Sequence, residues 1–323
     1  VFDGASCVVS PAGEVIARAA SFAEDLLIVD TESSEGRCEP LVDRPASLSA
    51  ALTLGLKDYL RKCGFQSAVL GLSGGIDSAV VAALAADAIG PENVYAVAMP
   101  SRYSSPGSLS DAEKLAGNLG INYRVVPIEP VHCAFEAQLG DTFAGKGGQI
   151  AGENIQARIR GNMIMAISNA DGHLALATGN KSELATGYCT LYGDMCGGIA
   201  PIGDLLKTDV YALAEQMNVE AGSERICRSI IDKPPTAELK PDQLDQDKLP
   251  PYDVLDSILS GYIERDMTAE QIVATGLAAD TVGKVIAMVD RAEYKRKQAA
   301  PVLKVTPRAF GTGRRMPIAQ RYR

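Results

Sequence analysis

Histidine is scarce in this sequence. The 323 residues contain two, His132 and His173, so chemistry that rests on a histidine base has few candidates. Cysteine offers no metal or disulfide pattern. The seven cysteines (Cys7, Cys38, Cys63, Cys133, Cys189, Cys196 and Cys227) are odd in number, and none sits in a C-x-x-C pair. That argues against a zinc site or a disulfide framework, and for reduced thiols and a cytoplasmic address. Long apolar runs are missing too. None reaches the ~18 residues that span a bilayer, and no basic-then-apolar signal peptide opens the chain, so no membrane partner is expected. Positive charge is in deficit, with 31 Lys and Arg against 40 Asp and Glu, a net −9. A net anion is a poor non-specific ligand for nucleic acid or an anionic membrane. There is no internal repeat and no low-complexity block. What remains is an ordinary globular composition, 46% hydrophobic and 22% charged, which can bury a core and excludes global disorder. At roughly 150 residues per domain, the length suits two domains or one large α/β domain with attachments. The first residue is Val1, as expected of a fragment or processed product with more sequence upstream.

The pattern changes along the chain. Residues 1–31 read as short strands: Ser6 to Ser10, a Pro11–Glu14 turn, Val15 to Ala20, and an apolar run from Asp25 to Asp30. Residues 32–48 read as a linker. Helices and strands then alternate. Helices are expected over 49–63, 77–89, 109–119 (capped by Ser108) and 153–169, and strands over 68–72, 93–99, 123–128 and 173–177. The β-α-β-α order argues for an α/β fold, a doubly wound parallel sheet with ligands at the carboxyl ends of its strands. The second half reads as mainly helical, over 208–217, 252–264, 269–274 and 279–296.

The strongest chemical signal is Gly71-Leu72-Ser73-Gly74-Gly75-Ile76-Asp77-Ser78, between a buried strand and an Ala-rich helix. Its glycines let backbone amides turn inward, Ser73 and Ser78 add hydroxyls, and the helix that follows offers its positive N-terminus. That is a cradle for pyrophosphate, although no Lys follows the glycines as in the G-x-x-x-x-G-K-[ST] loop. Asp77 would repel phosphate unless a cation lay between them, which implies Mg²⁺. The plainer alternative is a glycine turn with Asp77 as a helix cap. A second cluster, Thr178-Gly179-Asn180-Lys181-Ser182-Glu183, also follows a strand, and Glu183 is a candidate second Mg²⁺ ligand. On the helix over 153–169, Asn154 and Arg158 lie four apart and share a face, which by itself suits a solvated polar stripe equally well.

From Ser49 onward the chain resembles the synthetase domain of NAD synthetases, within the PP-loop ATP pyrophosphatase group. The loop Ser73–Ser78 marks the group. Glu153 to Arg160, Thr178 to Glu183, Lys233-Pro234-Pro235-Thr236-Ala237-Glu238-Leu239 and Tyr294-Lys295-Arg296 mark the family within it. Tyr188 to Leu191, and the tail from Arg308-Ala309-Phe310-Gly311 to Arg321-Tyr322-Arg323, resemble the glutamine-dependent, two-domain branch. The ammonia-dependent members carry Lys where this chain has Leu191 and Asp where it has Gly198. Residues 1–31 resemble the last hairpin and strand of a nitrilase-type glutaminase, whose Glu–Lys–Cys triad cannot lie within residues 1–48 because the first lysine is Lys57. Cys7 is then better read as a buried thiol than as a nucleophile.

The resemblance implies a PP-loop sheet of the adenine nucleotide α-hydrolase-like kind with a helical C-terminal part, over residues 49–323. It implies ATP-dependent amidation of deamido-NAD to NAD through an acyl-adenylate, with release of AMP and pyrophosphate. Ammonia is the nucleophile, supplied by a glutaminase domain in the full-length protein. Gly71, Leu72, Ser73, Gly74, Gly75, Ile76, Asp77 and Ser78 would hold the ATP phosphates, and Thr178, Lys207 and Thr236 would also contact ATP. Asp77 and Glu183 would bind Mg²⁺, and Asp77 and Lys207 would act in catalysis. Asn154, Arg158, Glu183, Tyr188, Cys189, Thr190, Leu191 and Lys295 would contact deamido-NAD, with Lys295 on a segment that folds back as a lid. A cytoplasmic homo-oligomer is expected. Two rivals stay open at this point: a PP-loop ligase that amidates a purine nucleotide, and a non-catalytic nucleotide-binding regulator.

Overall fold

The structure, a computed structural model, describes residues 1–32, 36–241 and 243–320. Part of the linker stretch and the Arg321-Tyr322-Arg323 triplet lie outside the described residues.

Strands β3 (Ala68–Gly71), β4 (Val94–Ala98), β5 (Asn122–Val125) and β6 (Leu174–Leu176) form a parallel sheet in the order β5-β4-β3-β6. Strands β3 and β6 and most of β4 are buried on both faces and apolar at successive positions, whereas β5, at the sheet edge, carries Asn122 and Arg124 and is largely exposed. The two-residue alternation still decides which layer each side chain meets. Leu70, Ala96 and Leu176 face one layer, built by α1 (Arg44–Cys63), α2 (Ile76–Ile89), α3 (Pro106–Leu119), α7 (Lys207–Ala221) and the short α8 (Arg228–Ile231). Val69, Val97 and Ala175 face the other, where Ile159 and Ile164 of α5 (Gly148–Asp171) cover them. The sheet is therefore doubly wound. A second core lies apart from it, built on α6 (Lys181–Thr186), α9 (Tyr252–Leu259), α10 (Ala269–Val273) and α11 (Ala279–Arg291). This is the helical C-terminal part.

At the N-terminus, β1 (Cys7–Val9) and β2 (Val15–Arg18) form an antiparallel hairpin through the expected turn. The strand expected from Asp25 to Asp30 is absent. Leu26 and Ile28 are exposed there, and the segment pairs with no described strand. Cys7, expected as a buried thiol, is exposed, because it stands on the open face of this two-stranded hairpin.

Several helix boundaries move for local reasons. Helix α1 starts at Arg44, five residues before the expected Ser49, because Asp43 caps it by accepting from Ala46 N and Pro45 suits its first turn. Helix α3 is capped by Ser105, not Ser108, with Pro106 in the first turn. That frees the Ser108 hydroxyl to point inward. Helix α4 (Glu129–Ala144) was not anticipated and buries only His132. The helix expected over 252–264 is α-helical to Leu259 and then widens into a π turn over Ser260–Glu264. The helix expected over 279–296 breaks at Ala292, whose ψ of 1° is not helical, and α12 (Glu293–Arg296) follows. Arg296 stabilises that break by donating to Leu184 O, Ala185 O and Val289 O.

Candidate active site at the sheet's switch point

In the order β5-β4-β3-β6, chain direction across the sheet reverses at β3, and α/β ligands bind where such a reversal opens a crevice. The loop after β3 and the turn after β6 meet there. They line a cleft of about 310 Å³ that also takes in the ends of β4, one face of α5 and the segment from Lys233 to Leu239.

The loop after β3 is tightly built. Gly74 has φ +75°, and a Cβ there would lie 2.1 Å from Ser108 O, so only glycine fits. Ser78 Oγ donates to Gly75 O (3.0 Å) and accepts from Ser73 N (3.2 Å). Gly75, not Asp77, is the N-cap of α2. The cap alternative for Asp77 is thereby excluded, since its carboxylate points away from the helix amides. Asp77 Oδ1 accepts from Asn180 Nδ2 at 2.9 Å, and Oδ2 accepts from Lys207 Nζ.

Three chain segments converge on this carboxylate. Asn180 caps α6 in a capping box with Glu183, which fixes both side chains. Lys207, the first residue of α7, is 2% exposed, and its Nζ lies 3.9 Å from Glu183 Oε1 and 5.4 Å from the Tyr252 ring centroid. Its backbone amide donates to Ser182 Oγ at 3.0 Å. Burial works against the Lys207 charge, yet Asp77 and Glu183 outweigh it and hold the ammonium's pKa above its ordinary value. Burial, reinforced by the Asp77 charge, holds the Glu183 carboxyl well above the usual range. A third acid, Asp245, is 4% exposed and also lines the cleft. Its Oδ2 accepts from Tyr252 OH at 2.9 Å, while its buried Oδ1 has no partner among the described residues.

This donor set fits Mg²⁺ bound together with phosphates. Among the described residues no three His, Cys, Asp or Glu side chains converge as a self-sufficient cage. Mg²⁺ characteristically takes one or two carboxylates plus substrate phosphates and water, and Asp77 and Glu183 are such a pair. The orphaned oxygen of Asp245 leaves a further acceptor without a donor, among the described residues, on the same cleft wall.

Beside Asn180, Lys181 is fully buried. Its Nζ donates to Glu264 Oε1 (2.7 Å), Thr306 Oγ1 (2.7 Å) and Arg308 O (2.9 Å), and sits 2.9 Å from Asp204 Oδ1. The π turn of residues 260–264 is what brings Glu264 within reach.

The expected ligand residues divide into two groups. Gly71 to Ser78, Thr178, Glu183, Tyr188, Cys189, Lys207 and Thr236 all line the cleft. Burial pushes the Cys189 thiol up to about 12, so it is an inert wall. Asn154, Arg158, Thr190, Leu191 and Lys295 do not line it. They bond to one another's segments behind it. Arg158 Nε donates to Leu191 O (3.1 Å), Thr190 Oγ1 donates to Asn154 Oδ1 (2.9 Å), and Lys295 Nζ donates to Gly187 O and Cys189 O (2.7 Å each). Together they anchor the turn over 187–194 to α5 and α12.

Other residues carry weight without having been given a role. Lys233 Nζ reaches Asp111 Oδ2 (2.7 Å), Ser108 Oγ (3.1 Å) and Gly74 O (3.3 Å), while Glu238 accepts from Ser108 Oγ (2.7 Å) and Ser105 N (3.2 Å). These contacts strap the segment from 233 to 239 across the phosphate loop. Lys233, Glu238 and Asn180 all stand inside the motifs quoted above. Asp245 lies outside every motif.

Comparison with known proteins agrees with this architecture. A family model described as NAD synthase matches residues 48–299. A glutamine-dependent NAD(+) synthetase from Synechocystis sp. is 50% identical over 329 residues, covering all of this chain and 58% of the relative. One from Thermotoga maritima is 46% identical over 360 residues, covering all of this chain and 62% of the relative. The chain thus spans well under two thirds of these relatives' lengths. Among solved structures, a glutamine-dependent NAD+ synthetase from Acinetobacter baumannii in complex with ADP is 41% identical, with a TM-score of 0.70, covering 98% of this chain and 59% of that one. An NMN synthetase from Francisella tularensis is 28% identical, with a TM-score of 0.67, covering 80% of this chain and 98% of that one.

Proposed function

Because the chain belongs to the NAD synthase family, we propose that it converts deamido-NAD to NAD at the expense of ATP. A carboxylate resists amidation because oxide is a hopeless leaving group. In the proposed reaction an oxygen of the nicotinate carboxylate attacks the α-phosphorus of ATP, pyrophosphate leaves, and an acyl-adenylate forms. Ammonia then adds to the acyl carbon and AMP leaves with the anhydride oxygen, so the nitrogen ends as the amide after losing a proton. The protein's task is to align two anions and neutralise the charge that builds on phosphate.

The observation that carries this reading is the Asp77–Lys207–Glu183 cluster set against the Gly71–Ser78 loop at the switch point. The loop amides and the Ser73 hydroxyl offer donors to phosphates, while the Ser78 hydroxyl braces the loop by donating to Gly75 O. Lys207 adds a buried ammonium, Asn180 orients Asp77, and Thr178 and Thr236 stand on the cleft wall. Mg²⁺ would be held by Asp77 and Glu183 and would supply positive charge to the phosphate oxygens. Asn154, Arg158, Thr190, Leu191 and Lys295 would serve the dinucleotide indirectly, by fixing the turn that presents Tyr188 and Cys189. A non-catalytic regulator would have no need of this buried acid–lysine–acid set.

Residues 1–31 are proposed to be the closing part of a nitrilase-like glutaminase domain, joined through residues 32–48 to the synthetase domain over 49–323. Ammonia would come from glutamine through that domain in the full-length protein, a cytoplasmic homo-oligomer with reduced thiols. The test is release of AMP and pyrophosphate by the purified chain with ATP, Mg²⁺ and ammonium. Both should appear in step with NAD, and only when deamido-NAD is present. Release of ADP, or turnover that prefers nicotinate mononucleotide or a purine nucleotide to deamido-NAD, would overturn the reading.

A further inference from the structure

Two arginines stand two residues apart on α5, and the helix turns about 200° between them. Arg158 points behind the cleft to Leu191 O. Arg160 lies on the cleft wall, on the same face as Ala157, Gly161 and Ile164. Its Nε donates to Met99 O at 2.9 Å, at the carboxyl end of β4, which fixes the plane of the guanidinium. Among the described residues its two terminal nitrogens have no hydrogen-bond partner and no carboxylate within 4 Å. The one acid whose charge bears on Arg160 is Glu238, and its oxygens are already taken by Ser105 N and Ser108 Oγ.

We propose that Arg160 is an anion-binding residue of the cleft, whose free guanidinium edge receives a phosphate of the bound nucleotide. Arg160 is half-buried, and a guanidinium edge left without a protein partner on the wall of a ligand cleft is a pre-set partner for an anionic ligand. A guanidinium presents two parallel donors that match phosphate geometry, and its orientation is already fixed by Met99, so little freedom is lost on binding. Burial pulls the pKa of Arg160 down to about 10, which still leaves it protonated at neutral pH. The proposal rests on the NAD synthase reading and deepens it. The phosphate belongs either to ATP or to the dinucleotide, which share this chemistry.

The experiment is calorimetric titration of the full chain with ATP, deamido-NAD and adenosine, for wild type, Arg160→Gln and Arg160→Lys. In Arg160→Gln, whichever phosphorylated ligand uses this residue should bind about tenfold to a hundredfold more weakly, while adenosine binds as before. The ligand that weakens names the source of the phosphate. Arg160→Lys keeps the charge and should recover part of the loss. If Arg160→Gln does not fold, Arg160→Lys carries the test by itself: a loss confined to phosphorylated ligands supports the assignment. Equal weakening of all three ligands would reduce Arg160 to a support for β4, and unchanged binding of all three would also overturn the proposal. A wild-type chain that binds none of the ligands would instead overturn the NAD synthase reading, a distinguishable result.

Discussion

Lys207 and Lys181 are both buried ammonium groups, and they differ in what their partners are for. Lys207 faces acids that line the cleft, whereas Lys181 faces acids and a hydroxyl that do not. Asp77→Asn should therefore lower NAD formation by about 10²–10³-fold, the usual scale for one electrostatic contact in an active site. Its effect on the urea midpoint should be smaller than that of Lys181→Met, because an amide oxygen still accepts from Lys207 and Glu183 still lies 3.9 Å away. Lys181→Met strands Asp204 and Glu264 without their cation and should cost about 3–5 kcal/mol of folding stability. Equal midpoint losses in the two variants would contradict this division. Gly74→Ala combines a left-handed φ with a Cβ placed 2.1 Å from a backbone oxygen, so nucleotide binding should be lost even if the chain still folds.

Among the elements, α1 owes its early start to a single cap. Asp43→Ala should cost about 1 kcal/mol, read from chemical denaturation, whereas the same change at Ser49 inside the helix should not act as a cap loss. The start of β6 carries a pH effect. His173 is 7% exposed, stacks on Tyr95 at a centroid distance of 4.1 Å, and has Nδ1 at 2.6 Å from Ser67 Oγ. Burial lowers its pKa below the ordinary 6.5, with Arg124 adding and Asp171 opposing. The unfolded chain then binds the proton that the folded chain refuses, so stability is full above about pH 6.5 and falls as pH drops toward the lowered value. His173→Gln should flatten that slope in midpoints measured from pH 5 to 7.5. Strands β3 and β6 were legible because each is a short apolar run followed by a glycine turn, β4 and β5 because each runs up to a proline (Pro100 and Pro127), and the phosphate loop because its composition has so few other uses. Elements set by distant partners were not legible. Nothing near Ala292 announces a break that depends on Arg296 reaching the carbonyls of α6, and nothing near Ser260 announces a π turn that serves Lys181. The run from Asp25 to Asp30 reads as a strand from its own residues, but a strand needs a neighbour.

For the molecule as a whole, the site residues fell into sequence blocks, and the blocks were easier to find than the roles within them. Arg158 and Arg160 belong to one block, yet only the turn of α5 decides which of them meets the cleft. Asp245 carried no motif and became visible only as an unpartnered oxygen beside Tyr252. The chain taken alone should form NAD with ammonium and not with glutamine, since no Lys precedes Lys57 and a Glu–Lys–Cys triad cannot be completed within residues 1–48. Glutamine-supported NAD formation by this chain, purified to homogeneity, would refute that expectation. The clasp around Lys181 has a consequence in time rather than space. On the ribosome, Lys181 is made more than a hundred residues before Thr306 and Arg308, which hold its ammonium. Until those late residues emerge, the turn that carries Asn180 and Glu183 lacks half of its anchor, so a nascent or prematurely terminated chain should hold a folded sheet without a finished reaction centre.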